Sequence, residues 1–201
     1  MTRLRLTLAA ALALSVAACG QPAEAPADAP VTTPAAAAPV AATTLAPADA
    51  LPAIALEAEG LRLVAQTGST RPIGFGLAKA ETVDILNSVH GSAGKASTNA
   101  ECGAGPVEFV SWDDGLSALF QDGKFVGWSL DGKTAGKVTT MNGIGIGSTR
   151  AELTADFAGV TVEETTLGQE FNAGGLIGVL DGAGPGAKVE VLWAGTSCVF
   201  R

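Results

Sequence analysis

Hydrophobic and polar positions along this chain change spacing twice, in the same order each time. Gly60-Leu61-Arg62-Leu63-Val64 alternates with the period of a strand. Val83, Leu86 and Val89 then fall on one face of a helix that Gly91 ends. After a loop rich in Gly, Ser and Asn come three strand-like runs: Val107 to Trp112, Leu116 to Gln121 and Lys124 to Leu130. Asp113-Asp114-Gly115 and Asp122-Gly123 separate them, and Asp-Gly between alternating runs is the strongest short-range hairpin signal. The pattern then restarts. Lys137 to Met141 reads as a lead strand, with a helix beginning near Arg150 that places Leu153 and Phe157 four apart and ends at Gly159. Thr161 to Thr166, Leu176 to Asp181 and Lys188 to Trp193 complete it as strands. The expected fold is therefore α+β, two tandem helix-plus-antiparallel-sheet modules over 51–131 and 132–201, fused into one domain.

A repeated motif supports the duplication. Ile73-Gly74-Phe75-Gly76-Leu77-Ala78-Lys79-Ala80-Glu81 lies over Ile144-Gly145-Ile146-Gly147-Ser148-Thr149-Arg150-Ala151-Glu152, an offset of 71 positions. Thr149 and Glu152 have the spacing of a capping box, each side chain answering the other's backbone amide. Ala78 stands where Thr149 caps, so the first helix is expected to start less firmly. Gly115-Leu116 corresponds to Gly175-Leu176, and Trp128 is matched to Trp193.

The N-terminus changes the picture from fold to location. Arg3 and Arg5 precede an apolar run from Leu6 to Ala18, and small residues lead into Cys19. A charged flank, a short apolar core and small residues describe a signal peptide over 1–18 rather than a membrane span. Val16-Ala17-Ala18-Cys19 resembles the bacterial lipobox, which implies that Cys19 is acylated and becomes the mature N-terminus. The resemblance implies a lipid bilayer as partner, and Gly20, where Asp would signal inner-membrane retention, points to the outer membrane. Residues 19–50 then read as the lipidated cysteine and a disordered linker. Six of the chain's 10 prolines lie there, among Ala and Thr without hydrophobic periodicity. Fully extended at about 3.1 Å per residue, it would hold the domain up to ~90 Å from the bilayer.

Without Arg3 and Arg5 the mature chain has 10 basic against 20 acidic side chains, from totals of 12 and 20. That balance argues against nucleic acid or an anionic headgroup layer as partner.

The sequence Gly147-Ser148-Thr149-Arg150-Ala151-Glu152-Leu153 resembles the helix-start signature of the SmpA/OmlA envelope lipoproteins and of domains like beta-lactamase inhibitor protein. That resemblance implies helices laid on a small antiparallel sheet and a role in binding proteins, possible partners being those of the envelope. Along both modules, including Trp193-Ala194-Gly195-Thr196-Ser197-Cys198, the chain also resembles short Gram-negative lipoproteins, some of which carry the name aspartate-semialdehyde dehydrogenase.

Two classes of function follow, and each names its residues. For a nicotinamide-dependent enzyme, Gly143, Gly145 and Gly147 before a helix, with Glu163 and Glu164 about twenty residues on, mimic the start of a dinucleotide fold. Ser148 stands where the third glycine of that fingerprint belongs, and Ile144 and Ile146 read equally as core contacts, so no cofactor is assigned. A thiol enzyme would need Cys102 as nucleophile and His90, the chain's single histidine, as base. In an oxidising compartment Cys102 and Cys198 are more simply a disulfide, and His90 a contact at a helix C-terminus. No spacing of His, Cys and carboxylates suggests a metal site. For a binding protein, Trp112, Phe125 and Trp128 beside Asp113 and Asp114 are aromatic anchors with an acidic rim if their face is open, and core if it is covered.

Overall fold

The computed structural model describes residues 51–132 and 138–199. All of them belong to the unit spanning 44–201. The signal peptide, Cys19, the linker and Lys137 lie outside the described residues.

Two antiparallel sheets and two helices make up the domain. The small sheet has the order β1 (Ala53–Glu57), β2 (Gly60–Val64), β3 (Thr70–Gly74). Helix α1 (Lys79–His90) follows, then β4 (Lys95–Asn99), β5 (Val107–Ser111), β6 (Leu116–Gln121) and β7 (Lys124–Asp131). Helix α2 (Arg150–Asp156) precedes β8 (Thr161–Thr165), β9 (Gly168–Ala173), β10 (Leu176–Leu180) and β11 (Val189–Gly195). The large sheet runs β4-β5-β6-β7-β11-β10-β9-β8. The fold is α+β and dominated by sheet.

Alternation along each strand assigns the two faces of the large sheet. Val110, Trp112, Leu116, Ala118, Phe120, Phe125, Trp128, Leu130, Leu176, Leu192 and Phe171 point to one side. There they form one core with Leu86 of α1, Leu153 of α2 and Leu56, Leu61 and Ile73 of the small sheet. Trp128 Nε1 donates to Glu57 O at 2.9 Å, so this buried indole also ties the small sheet to the large one.

The glycine motif performs the same backbone task before each helix. Gly76 N donates to Phe125 O and Gly147 N to Val189 O, at 2.7 and 2.8 Å. Phe125 N returns to Leu77 O and Val189 N to Ser148 O, both at 2.9 Å. Lys79 N reaches Gly123 O and Arg150 N reaches Ala187 O, at 2.9 and 2.7 Å. Gly76 and Gly147 both sit at positive φ, 93° and 88°, where a side chain would be strained.

Several expectations need correction. β1, β3, β4 and β9 are strands the hydrophobic pattern did not single out. β3 contains Pro72, tolerated because β3 is an edge of its sheet. β4 is polar and mostly exposed, also at an edge, while β9 carries Gln169, Glu170 and Asn172. Within 138–141 there is no lead strand, only isolated bridges from Thr139 to Ala55 and Gly145. Helix α2 stops at Asp156 with Phe157 extended, and Gly159 takes its left-handed conformation beyond the helix. The tryptophan match slips by one residue: Trp193 pairs with Ser129, and Ala194 lies opposite Trp128. The two indoles therefore point to opposite faces.

Candidate functional site

The other face of the large sheet is the candidate. Both helices and the small sheet pack into the main core, and among the described residues no helix or strand lies over the opposite face. Register assigns what that face presents. A ladder crosses all eight strands through Lys95, Ser111, Ser117, Ser129, Trp193, Ile177, Asn172 and Thr161. Ser111 and Ser117 share a hydroxyl contact of 2.7 Å. A neighbouring row passes through Glu163, Glu170, Val179, Val191 and Asp131. Glu163 and Glu170 are direct cross-strand partners, an arrangement of like charges that destabilises a sheet. Thr165 Oγ1 donates to Glu170 Oε2 at 3.3 Å, offsetting part of that repulsion. A groove of about 300 Å³ runs between Thr161, Glu163, Thr165, Glu170, Asn172 and Ile177.

Toward β5 and β6 this face carries a second, smaller apolar cluster. Cys102, Val107 and Leu119 are buried there, with Phe109, Val126 and Cys198 packed against them. After β11 the chain turns at Gly195, where φ is 72°, and Thr196 N donates to Val126 O. The segment Ser197-Cys198-Val199 then lies across the face, fixed by the Cys102–Cys198 disulfide over a separation of 96 residues. A cavity of about 200 Å³ remains between it and Phe109, Leu119, Ser129, Val191 and Trp193. Trp193, beneath this segment, is 2% exposed.

The expected aromatic surface is not there. Trp112, Phe125 and Trp128 are buried in the main core beneath the helices and the small sheet, so they present no open face to a partner. Asp113 is exposed and ion-paired with Lys95 at 2.9 Å, a contact of little energetic weight at such exposure.

Asp114 belongs to a second cluster, on the helix side. His90 closes α1, its Nδ1 at 2.7 Å from Leu86 O and its Nε2 at 2.8 Å from Asp114 Oδ2. Its ring stacks on Trp112 with centroids 4.9 Å apart and 19° between planes. Burial pulls the His90 pKa down, but the Asp114 hydrogen bond, the Leu86 carbonyl and the charge of Asp114 outweigh it, leaving it above 6.5. Burial pushes Asp114 up, yet His90 and the Leu116 amide hold it below 3.8. Asn87 Oδ1 accepts from both Trp112 Nε1, at 3.2 Å, and Gly94 N, at 2.9 Å.

The residues named for enzyme chemistry are not assembled. Cys102 is in a disulfide within the open-face cluster, whereas His90 stacks on Trp112 on the helix side. The glycine stretch does not begin a parallel βαβ unit, because the strands of the large sheet are antiparallel and the amides at the start of α2 are already engaged. Glu163 and Glu164 lie on edge strand β8. Among the described residues no group of three or more His, Cys, Asp or Glu side chains could hold a metal ion. No helix among them is long and apolar enough to cross a membrane.

The ladder residues of the open face were missed by sequence reasoning. Their signal was the outward half of each alternating run, which becomes meaningful only once the covered face is known. No protein family, curated protein or solved structure matches the chain.

Proposed function

We propose that the chain is an exported lipoprotein, acylated at Cys19 and held on the periplasmic face of the outer membrane, whose folded domain binds envelope proteins without catalysing a reaction. The observation that carries the binding role is the face of the eight-stranded sheet over which no described helix or strand lies. Its ladder mixes hydroxyls, an amide and apolar side chains, with acidic groups beside it, which suits a wet protein–protein contact. The disulfide fixes the C-terminal segment across the β5, β6, β7 and β11 part of this surface, beside the groove on β8 to β10.

In this reading the domain is a tandem of two helix-plus-four-strand modules. The paired backbone hydrogen bonds support it: donors and acceptors before the helices recur at an offset of 71 positions, and their strand partners at an offset of 64, as Phe125 with Val189 and Gly123 with Ala187. The central strands β7 and β11 join the modules edge to edge. Duplication of a unit with helices on one side generates a face twice as wide on the other.

Anchoring is tested by membrane fractionation with intact mass. Wild type should be membrane-bound and carry acyl chains, and Cys19→Ala should be soluble and unacylated; an unacylated wild type in the cytosol overturns the proposal. The binding face is tested with a photo-crosslinking residue at Ser117 or Ile177, against Asp84 on the exposed side of α1. Cross-links to envelope proteins should form from the first two positions and not from the third. Equal labelling from Asp84 would move the site off this face.

A further inference from the structure

The His90 cluster is outside the proposed binding face, and its geometry has a consequence of its own. Leu86 O is a carbonyl and can only accept, and an ionised Asp114 can only accept. Both ring nitrogens of His90 are within hydrogen-bond distance of these oxygens. A neutral imidazole has a single N–H and satisfies one of them, whereas the imidazolium satisfies both. The position at the C-terminus of α1 also favours a cation. So does the parallel stack on the electron-rich face of Trp112.

We infer that the His90–Asp114 contact is a protonation-operated latch between the last turn of α1 and the β5–β6 turn, closed when the ring is an imidazolium. Its reach extends beyond the two side chains. Asn87, one turn earlier on α1, holds the indole on which His90 stacks and also the amide of Gly94, immediately before edge strand β4. Asp114 Oδ1 accepts from Leu116 N at 3.1 Å, so the same carboxylate shapes the turn into β6. Asp114 is the charged group against the ring; the neighbouring Asp113 turns to Lys95 of β4. When the imidazolium gives its proton to water, either Leu86 O or Asp114 loses its donor. Asn87 still holds the amide of Gly94, but the last turn of α1 is tied less firmly to the β5–β6 turn, and the connection from α1 to β4 opens more often.

The sign is fixed by linkage. A histidine pKa raised above 6.5 in the fold contributes stability in full below the unfolded value and loses it as pH rises through the folded value. Because the chain has one histidine, its ring proton signals report this group without assignment by mutagenesis. The experiment is an NMR titration of the full mature chain, with amide hydrogen exchange followed at Gly94 and Lys95–Asn99. The ring should titrate above 6.5, and Asp114→Asn should lower that midpoint. Protection at Gly94 and β4 should fall across the wild-type midpoint, beyond the intrinsic base-catalysed rise, while His90→Gln shows no break there. A ring that titrates at or below 6.5 overturns the latch. So does protection at β4 that is unchanged across the midpoint, and both readouts need only the wild-type protein should a variant fail to fold.

Discussion

Helices α1 and α2 start from the same backbone scaffold and are held in different ways. In each, the first helical amide is satisfied by a carbonyl near the final strand hairpin, Gly123 O for Lys79 and Ala187 O for Arg150. Beyond that shared contact, α1 runs for 12 residues from Ala78, which makes no side-chain cap, and buries Thr82 and Leu86. Helix α2 has 7 residues, buries only Leu153, and carries a complete capping box. The difference shows where capping matters. A helix with a long buried face is held by packing, and a short one with a single buried side chain relies on local hydrogen bonds at its start.

The covalent tie between Cys102 and Cys198 allows the largest test of this contrast. The disulfide joins Cys102, in the β4–β5 connection, to Cys198 beyond β11. In the chain-entropy model a loop of that size stabilises the fold by about 4–5 kcal/mol, with native-state strain able to reduce it. Replacing both Cys102 and Cys198 by Ser should lower the denaturant midpoint accordingly, and reductant should then have no further effect. Hydrogen exchange should rise more in β5 and β6, which contact the clip, than in β8 and β9. Equal loss along the whole sheet would mean that the two halves unfold as one unit.

Exchanging the caps sharpens the comparison at a smaller scale. Thr149→Ala removes the hydroxyl that accepts from Glu152 N, while the amide of residue 149 can still donate to the Glu152 carboxylate, and should cost about 1 kcal/mol in chemical denaturation. Ala78→Thr places a hydroxyl three residues before Glu81, recreating the same box on exposed surface, and should stabilise by less than that. If both changes have equal and opposite effects, packing of α1 does not substitute for a cap.

The same contrast explains what was legible in the sequence. The capping box, the αL glycine after α1 and the Asp122-Gly123 hairpin were readable because each is a local rule. Asp122 and Gly123 do take φ of 49° and 70°. The disulfide followed from the expectation of export, under which two cysteines remain in an oxidising compartment. Strands β3, β4 and β9 were not readable, because edge position and cross-strand pairing decide them, and Pro72 or Asn172 argue locally against a strand. Trp112, Phe125 and Trp128 could be placed on strands but not on a face. Which side of a sheet is covered depends on where the helices and the small sheet pack, and a bulge between Leu119 and Phe120 shifts the alternation in that region. One residue of slip likewise moved Trp193 to the face opposite Trp128.

The smallest effect separates the two halves by pH. Thr149 N donates to Glu152 Oε2 at 2.7 Å and Thr149 Oγ1 donates to the same oxygen at 2.9 Å, and these bonds hold the Glu152 carboxyl below 4.5. A depressed carboxylate contributes stability that is present above its unfolded pKa and is lost as pH falls through the folded value. The stability difference between wild type and Glu152→Gln should therefore shrink on acidification from about pH 6 to about pH 3. Asp114 titrates in the same direction, with its pKa held below 3.8, but acts on the end of α1. Exchange measured at α2 should respond to Glu152→Gln, while exchange at Gly94 and β4 should keep its acid dependence through Asp114. If Glu152→Gln abolished the acid response at both places, the two helix-bearing halves would share one opening reaction, and their different means of attachment would have no separate effect on stability.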